Sequence, residues 1–220
     1  MILSLMRASF KSEPEQNVRG TYPAERSSPM TRILSLDLSL TRSGVCRVLS
    51  RTAGQPCFTV ETVHCEPLRV PGARPNTTRR KERTGTLRLL WWKQWLLDQV
   101  RMNDFGLVAM EAPALHAPGK KFDKAEQYAI VKVTLAELGV PLVVVPIKTI
   151  KLYACGRGDA DKLRMIDTAA LMFGMQVKTE DDADAAWLCR LACQWQGDLE
   201  DDLPFRLAAV ATVEKVGVDQ

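Results

Sequence analysis

Three groups of acidic residues offer the clearest chemistry in this chain. Asp37 closes the apolar run Ile33-Leu34-Ser35-Leu36, Glu111 closes Leu107-Val108-Ala109-Met110, and Asp181 and Asp184 sit in an alanine-rich stretch. The first two carboxylates leave the ends of apolar strands, and the last two lie three residues apart on what reads as one helix face. Carboxylates gathered inside a fold repel one another and lose hydration unless cations neutralise them. Hard, oxygen-seeking Mg²⁺ or Mn²⁺ suits such a cluster, and two such ions together suit phosphodiester chemistry. The chain has only two histidines, His64 and His116. That scarcity is consistent with water activated by metal rather than by an imidazole base.

Each acid also has a structural reading. An aspartate at a strand end can be a turn residue, although here two buried-looking strands both end in an acid. Thr179-Glu180-Asp181-Asp182 reads as a helix N-cap followed by first-turn acids that the helix dipole favours. That reading covers Asp181 and Asp182 but not Asp184, which lies beyond the first turn. Asp184 therefore ranks first as a ligand, Asp181 second, and Asp182 mainly as a capping residue.

The elements that must position these acids can be read from hydrophobic periodicity. Segments 32–38, 43–50 and 57–64 read as strands, joined at Thr41-Arg42-Ser43-Gly44 and Gly54-Gln55-Pro56 as an antiparallel meander. Residues 68–85, rich in Pro, Arg and Thr, read as a long exposed loop. A helix over 86–101 carries Trp91, Trp92 and Trp95 on an apolar arc wide enough for burial or for a partner. Strand 106–111 ends at Glu111, and a basic connection, Gly119-Lys120-Lys121, leads into a helix over 123–138. Strand 142–145 and helices over 147–154, 159–173 and 180–195 complete an α/β pattern with a mixed sheet.

At 220 residues the chain is long enough for one domain with a substantial core. No apolar run approaches the roughly 20 residues of a membrane span, and the six cysteines form no C-x-x-C pair. A cytoplasmic protein with reduced thiols and no structural zinc is expected. Residues 1–30 read as a disordered arm, and the ordered pattern begins directly behind Met30, which could itself serve as a start. The formal charge of +4 is unevenly spread. Arg69, Arg74, Arg79, Arg80, Lys81 and Arg83 crowd one stretch, which can bind a phosphate backbone or remain a solvated loop.

Taken together, the strand ending in Asp37, the strand-end Glu111 and Asp181-x-x-Asp184-Ala185 resemble the RuvC-type Holliday junction resolvases of bacteria and bacteriophages. These belong to the ribonuclease H-like superfamily. Lys151, followed by Gly156-x-Gly158-x-x-x-Lys162, is similar to that family's lysine and G-x-G segment. The resemblance covers about residues 32–196. It implies an α/β, ribonuclease H-like nuclease domain over 31–196, with 197–220 as a tail. Its sheet would have five strands, three antiparallel and then two parallel, with helices on both faces.

The resemblance further implies a homodimer that resolves branched DNA, above all Holliday junctions, by paired nicks. Asp37, Glu111, Asp181 and Asp184 would hold two Mg²⁺ or Mn²⁺ ions, and Lys162 would join them as a catalytic residue. Lys151, Gly156, Gly158, Arg79, Arg80, Lys81, Lys120 and Lys121 are the DNA-binding candidates. Where the family commonly has Pro-Gly after the first aspartate, this chain has Leu38-Ser39. Where the family often carries an aromatic three residues past the glutamate, it has Ala114. A nuclease of broader taste, for flaps or Y-forks, stays open. So do an actin-like ATPase domain and a non-catalytic DNA-binding domain on the same sheet.

Overall fold

The structure is a computed structural model that describes residues 30–65, 78–113, 121–174 and 177–216, with backbone alone for 78–84 and 121. The first strand, β1 (Ile33–Asp37), is buried along its apolar length, as a central strand covered on both faces must be. It pairs antiparallel with β2 (Arg42–Thr52), which pairs antiparallel with β3 (Gln55–His64). On its other side β1 runs parallel to β4 (Leu107–Glu111), and β4 runs parallel to β5 (Leu142–Val145). A two-residue strand, β6 (Lys215–Val216), adds antiparallel to β5, so the order is β3-β2-β1-β4-β5-β6.

The sheet thus has six strands rather than the five expected. The sixth comes from the segment expected to be a tail, which also contributes helix α6 (Pro204–Ala211). A two-residue strand is too short to leave a periodic pattern in sequence. The β2–β3 turn is also displaced from the expected Gly54-Gln55-Pro56. Ala53 and Gly54 both take positive φ, 49° and 79°, as a tight two-residue hairpin requires. Pro56 instead lies within β3, an edge strand that tolerates its missing N–H.

Helix α1 (Thr78–Asn103) starts well before residue 86, so Arg79, Arg80 and Lys81 belong to its first turns rather than to a loop. Arg, Lys and Glu are good helix formers, and no proline follows Pro75 in that stretch. α1 and α2 (Lys121–Glu137) cover one sheet face around Leu34, Leu36, Val108 and Met110. Trp92 is fully buried there, and Trp91 and Trp95 pack against the same cluster, so the tryptophan arc is mostly core. Among the described residues no helix is long and apolar enough to cross a membrane.

The other face carries α3 (Ile147–Cys155), α4 (Lys162–Phe173) and α5 (Glu180–Trp195). α6 is fastened to this layer by a buried charge group. Asp201 accepts from Arg190 at 2.9 Å and from Arg206. Arg206 also donates to the Tyr153 carbonyl at 3.1 Å. Burial opposes ionisation of Asp201, but the bonds from Arg190 and Arg206 outweigh it and hold the carboxyl below its usual range. Asp201→Asn keeps the shape and strands two buried guanidinium groups. The expected cost is about 3–5 kcal/mol, read as a lower urea midpoint with an unchanged slope.

Candidate metal centre

Parallel pairing sets Leu36 of β1 beside Met110 of β4, so the next residue of each strand, Asp37 and Glu111, emerges at the same sheet edge. Helix α5 crosses that edge and brings Asp184 down from its second turn. Carboxylate oxygens of Asp37, Glu111 and Asp184 all lie within 4.8 Å of one another. The helix can come this close because small residues line the contact. Ala183, Ala185 and Ala186 are fully buried, and the Ser35 hydroxyl of β1 donates to the Ala185 carbonyl at 2.7 Å. At Gly44 of β2 a Cβ would stand 1.8 Å from the Asp181 carbonyl oxygen, so only glycine fits.

The turn leaving Asp37 is fixed by hydrogen bonds. The Ser39 N–H donates to the Ser43 hydroxyl at 2.9 Å, which in turn donates to the Ser39 carbonyl at 3.1 Å. Gln127 of α2 donates to the same carbonyl at 3.0 Å. These bonds restrain the Leu38-Ser39 segment that stands where Pro-Gly is common among the resolvases.

Electrostatically the trio is under strain. Burial first, then the Glu111 and Asp181 charges, push Asp37 well above the usual carboxylate range. Burial, followed by the Asp184 charge, pushes Glu111 up to about 7, against opposing pulls from its hydrogen bond with Asp37 and from Lys124. Asp184 is pushed up to about 7 by burial, then by Asp37 and Glu180, with Lys151 opposing. One Asp184 oxygen, Oδ1, is buried without a hydrogen-bond partner. Three converging carboxylates with an orphaned oxygen fit a hard divalent cation, which would supply the missing charge and ligand field.

The other expected site residues fall at varying distances from this centre. Asp181 stands outside the close trio, 3.5 Å from the Arg42 guanidinium. Asp182 completes a capping box with Thr179 and also accepts from Thr62 at 2.7 Å. Lys151, half-buried on α3, acts on Asp184. Lys162 extends from the start of α4 to Glu180 at 2.5 Å. Gly156 caps α3 with φ 74°, and a Cβ at Gly158 would stand 3.2 Å from the Lys148 carbonyl. Arg79, Arg80, Lys81 and Lys121 lie on helices without described side chains, and Lys120 and Ala114 fall outside the described residues.

Sequence reading missed Lys124, Gln127 and Glu180. Lys124 counters the charge of both Asp37 and Glu111. With Gln127 it lines a small cleft beside Asp37 and Glu111. A signal was present. Lys124, Gln127, Tyr128 and Val131 share one face of α2, and a polar pair on a face that is otherwise buried calls for a reason.

No family model and no curated protein matches the sequence. Among solved structures, Thermus thermophilus RuvC superposes with a TM-score of 0.57 at 16% identity, covering 84% of this chain and 100% of that one. T. thermophilus RuvC in complex with a Holliday junction substrate gives 0.57 at 15% identity, over 84% and 99%. The yeast mitochondrial Holliday junction resolvase Ydc2 gives 0.49 at 15%, over 77% and 80%. The fold is therefore that of RuvC, as the strand-end acids and the glycine–lysine segment led one to expect.

The raised carboxylates fix a sign for stability. Glu111 and Asp184 bind protons more tightly in the folded chain than in the unfolded one, where carboxylates titrate near 4. Their contribution is present below about pH 4 and lost as pH rises through about 7. In EDTA the melting temperature should fall between pH 5 and pH 8, by ~2–4 °C per kcal/mol lost. Mn²⁺ should raise it most at pH 8. Asp37→Asn should raise it in EDTA and remove most of the Mn²⁺ response. A metal response equal at pH 5 and pH 8 would count against the centre.

Proposed function

We propose that this chain is a metal-dependent endonuclease of branched DNA, with Holliday junctions as the principal substrate. The observation that carries this reading is the convergence of Asp37, Glu111 and Asp184 at one edge of a RuvC-like sheet. Asp37, Glu111 and Asp184, with Asp181 at the margin, would hold two Mg²⁺ or Mn²⁺ ions. Such ions, when bound, activate water and stabilise the departing oxygen in phosphodiester hydrolysis.

The chain's own residues supply the rest. Asp37 is fixed by the Ser43 and Gln127 bonds to the turn behind it, so its carboxylate is held in place before substrate arrives. Lys124 and Lys151 flank the acids on opposite sides, from α2 and α3, and can offset the charge of an approaching phosphate. Lys162 serves the neighbouring phosphate. Paired nicks across a four-way junction call for two symmetric sites, hence a two-fold homodimer.

Labelled junction, flap, Y-fork and duplex DNA, each with and without Mg²⁺, distinguish a junction resolvase from a nuclease of broader structure preference. Cleavage of no branched substrate would sink the proposal. Asp37→Asn, Glu111→Gln and Asp184→Asn should each lower cleavage by several orders of magnitude while junction binding persists. Asp181→Asn should fall less, because Arg42 already occupies that carboxylate. Asp182→Asn should cost ~1 kcal/mol of stability through its cap and leave cleavage nearly intact. Normal cutting by Asp184→Asn would remove α5 from the site.

The basic start of α1 gives a separate test of binding. Replacing Arg79, Arg80 and Lys81 with Ala should flatten the dependence of log K on log salt by about 0.9 for each DNA phosphate that the helix no longer neutralises. Turnover at saturating DNA should hardly change. An unaltered slope would mean that this helix start is simply solvated.

A further inference from the structure

Lys162 occupies an unusual place. It is the first residue of α4, directly after the N-cap Asp161, and the first turn of that helix contains no acid. The amino end of a helix carries partial positive charge, so a lysine there opposes the dipole instead of exploiting it. Local stability does not account for the choice. A cation added to exposed helix N–H groups does make a strong anion site.

The anion that meets it comes from the chain itself. Glu180, the first residue of α5, accepts from the Lys162 ammonium at 2.5 Å, across from the amino end of α4. Glu180 differs from the other first-turn acids of α5, since Asp182 is bound into the cap and Asp181 faces Arg42. It also lies close enough to the trio to add to the upward push on both Glu111 and Asp184. The pair therefore sits at the rim of the metal centre, with the lysine largely exposed.

We propose that Glu180 stands in for a phosphate, holding Lys162 beside the acid trio until a nucleic-acid phosphate takes its place. The inference rests on the functional reading above. Exposed ion pairs of this kind hold their partners only weakly, by a factor of about five at most. A polyanion that releases condensed counterions on binding outcompetes such a carboxylate. The lysine is thus kept pointed at the site in the free protein. A single stray anion gains little by displacing Glu180, whereas a strand already bound elsewhere completes the exchange.

Anisotropy of a labelled four-way junction, measured in EDTA at fixed ionic strength, tests this with four proteins: wild type, Glu180→Gln, Lys162→Ala and the double variant. Glu180→Gln should bind ~2- to 5-fold tighter than wild type, and Lys162→Ala should bind more weakly. The gain from Glu180→Gln should vanish in the Lys162→Ala background, because no cation is left to release. An equal gain in both backgrounds would mean that Glu180 acts as a bare negative charge, and would overturn the proposal. No gain in either background would also overturn it. Failure of wild type to bind any DNA would instead overturn the functional reading together with this one.

Discussion

Contact between the backbone of α5 and strand β2 determines where the acids meet. The Asp181 carbonyl rests where any side chain at Gly44 would have to be. The next turn is drawn down by the Ser35 hydroxyl bonding to the Ala185 carbonyl. Both anchors lie within one turn of Asp184, so its carboxylate is delivered to the strand-end acids by backbone proximity rather than by a long, mobile side chain. A glycine inside a strand costs about 1 kcal/mol relative to alanine. That cost is accepted here because a helix standing off by one methyl group would leave Asp184 short of Asp37.

The same proximity creates an electrostatic conflict that the surrounding charges only partly relieve. Three carboxylates are confined within 4.8 Å of one another, and burial raises all of them. Lys124 and Lys151 offset part of this from either side. At the start of α5, successive acids are assigned to different partners: Glu180 to Lys162, Asp181 to Arg42, and Asp182 to the cap. One Asp184 oxygen is left buried without a hydrogen-bond partner. Stability alone would select against that arrangement, since an apolar residue would pack there at no electrostatic cost. Strain of this kind, confined to one sheet edge, is characteristic of a site kept for its chemistry.

Sequence made the strand-end acids legible because β1 and β4 are short, apolar and terminated by a charge, a pattern that surface strands do not produce. The capping role of Asp182 was legible for a similar reason, since Thr179 and an acid three residues on form a recognised box. Lys124 was hidden because α2 meets the acids through tertiary packing, and nothing local ties residue 124 to residue 37. The early start of α1 at Thr78 was obscured by the Thr, Arg and Pro residues around it in sequence. Asp181 was ranked second to Asp184 as a ligand, from the resolvase-like Asp181-x-x-Asp184-Ala185 segment and against a capping role at the helix start. Three residues correspond to about 300° of helix rotation, so Asp181 stays on the side of α5 that carries Asp184, where its charge reaches Asp37 and Arg42 stands 3.5 Å away.

The segment beyond residue 196 changes how the basic side of the site is understood. Phe205 of α6 lies over Gly156, where a Cβ would already be 3.6 Å from its ring. Arg206 holds the Tyr153 carbonyl and stacks within 5.2 Å of the Trp187 ring of α5. α6 therefore clamps the end of α3 to α5, fixing the helix that carries Lys151 relative to the helix that carries Asp184. The lysine–glycine segment keeps its position because a later helix, itself fixed by the Arg190–Asp201–Arg206 group, closes over it. Acids and lysines are thus set by two separate anchors, one at Gly44 and one at Arg206. Both act on α5, which is therefore the common reference for Asp184 and Lys151.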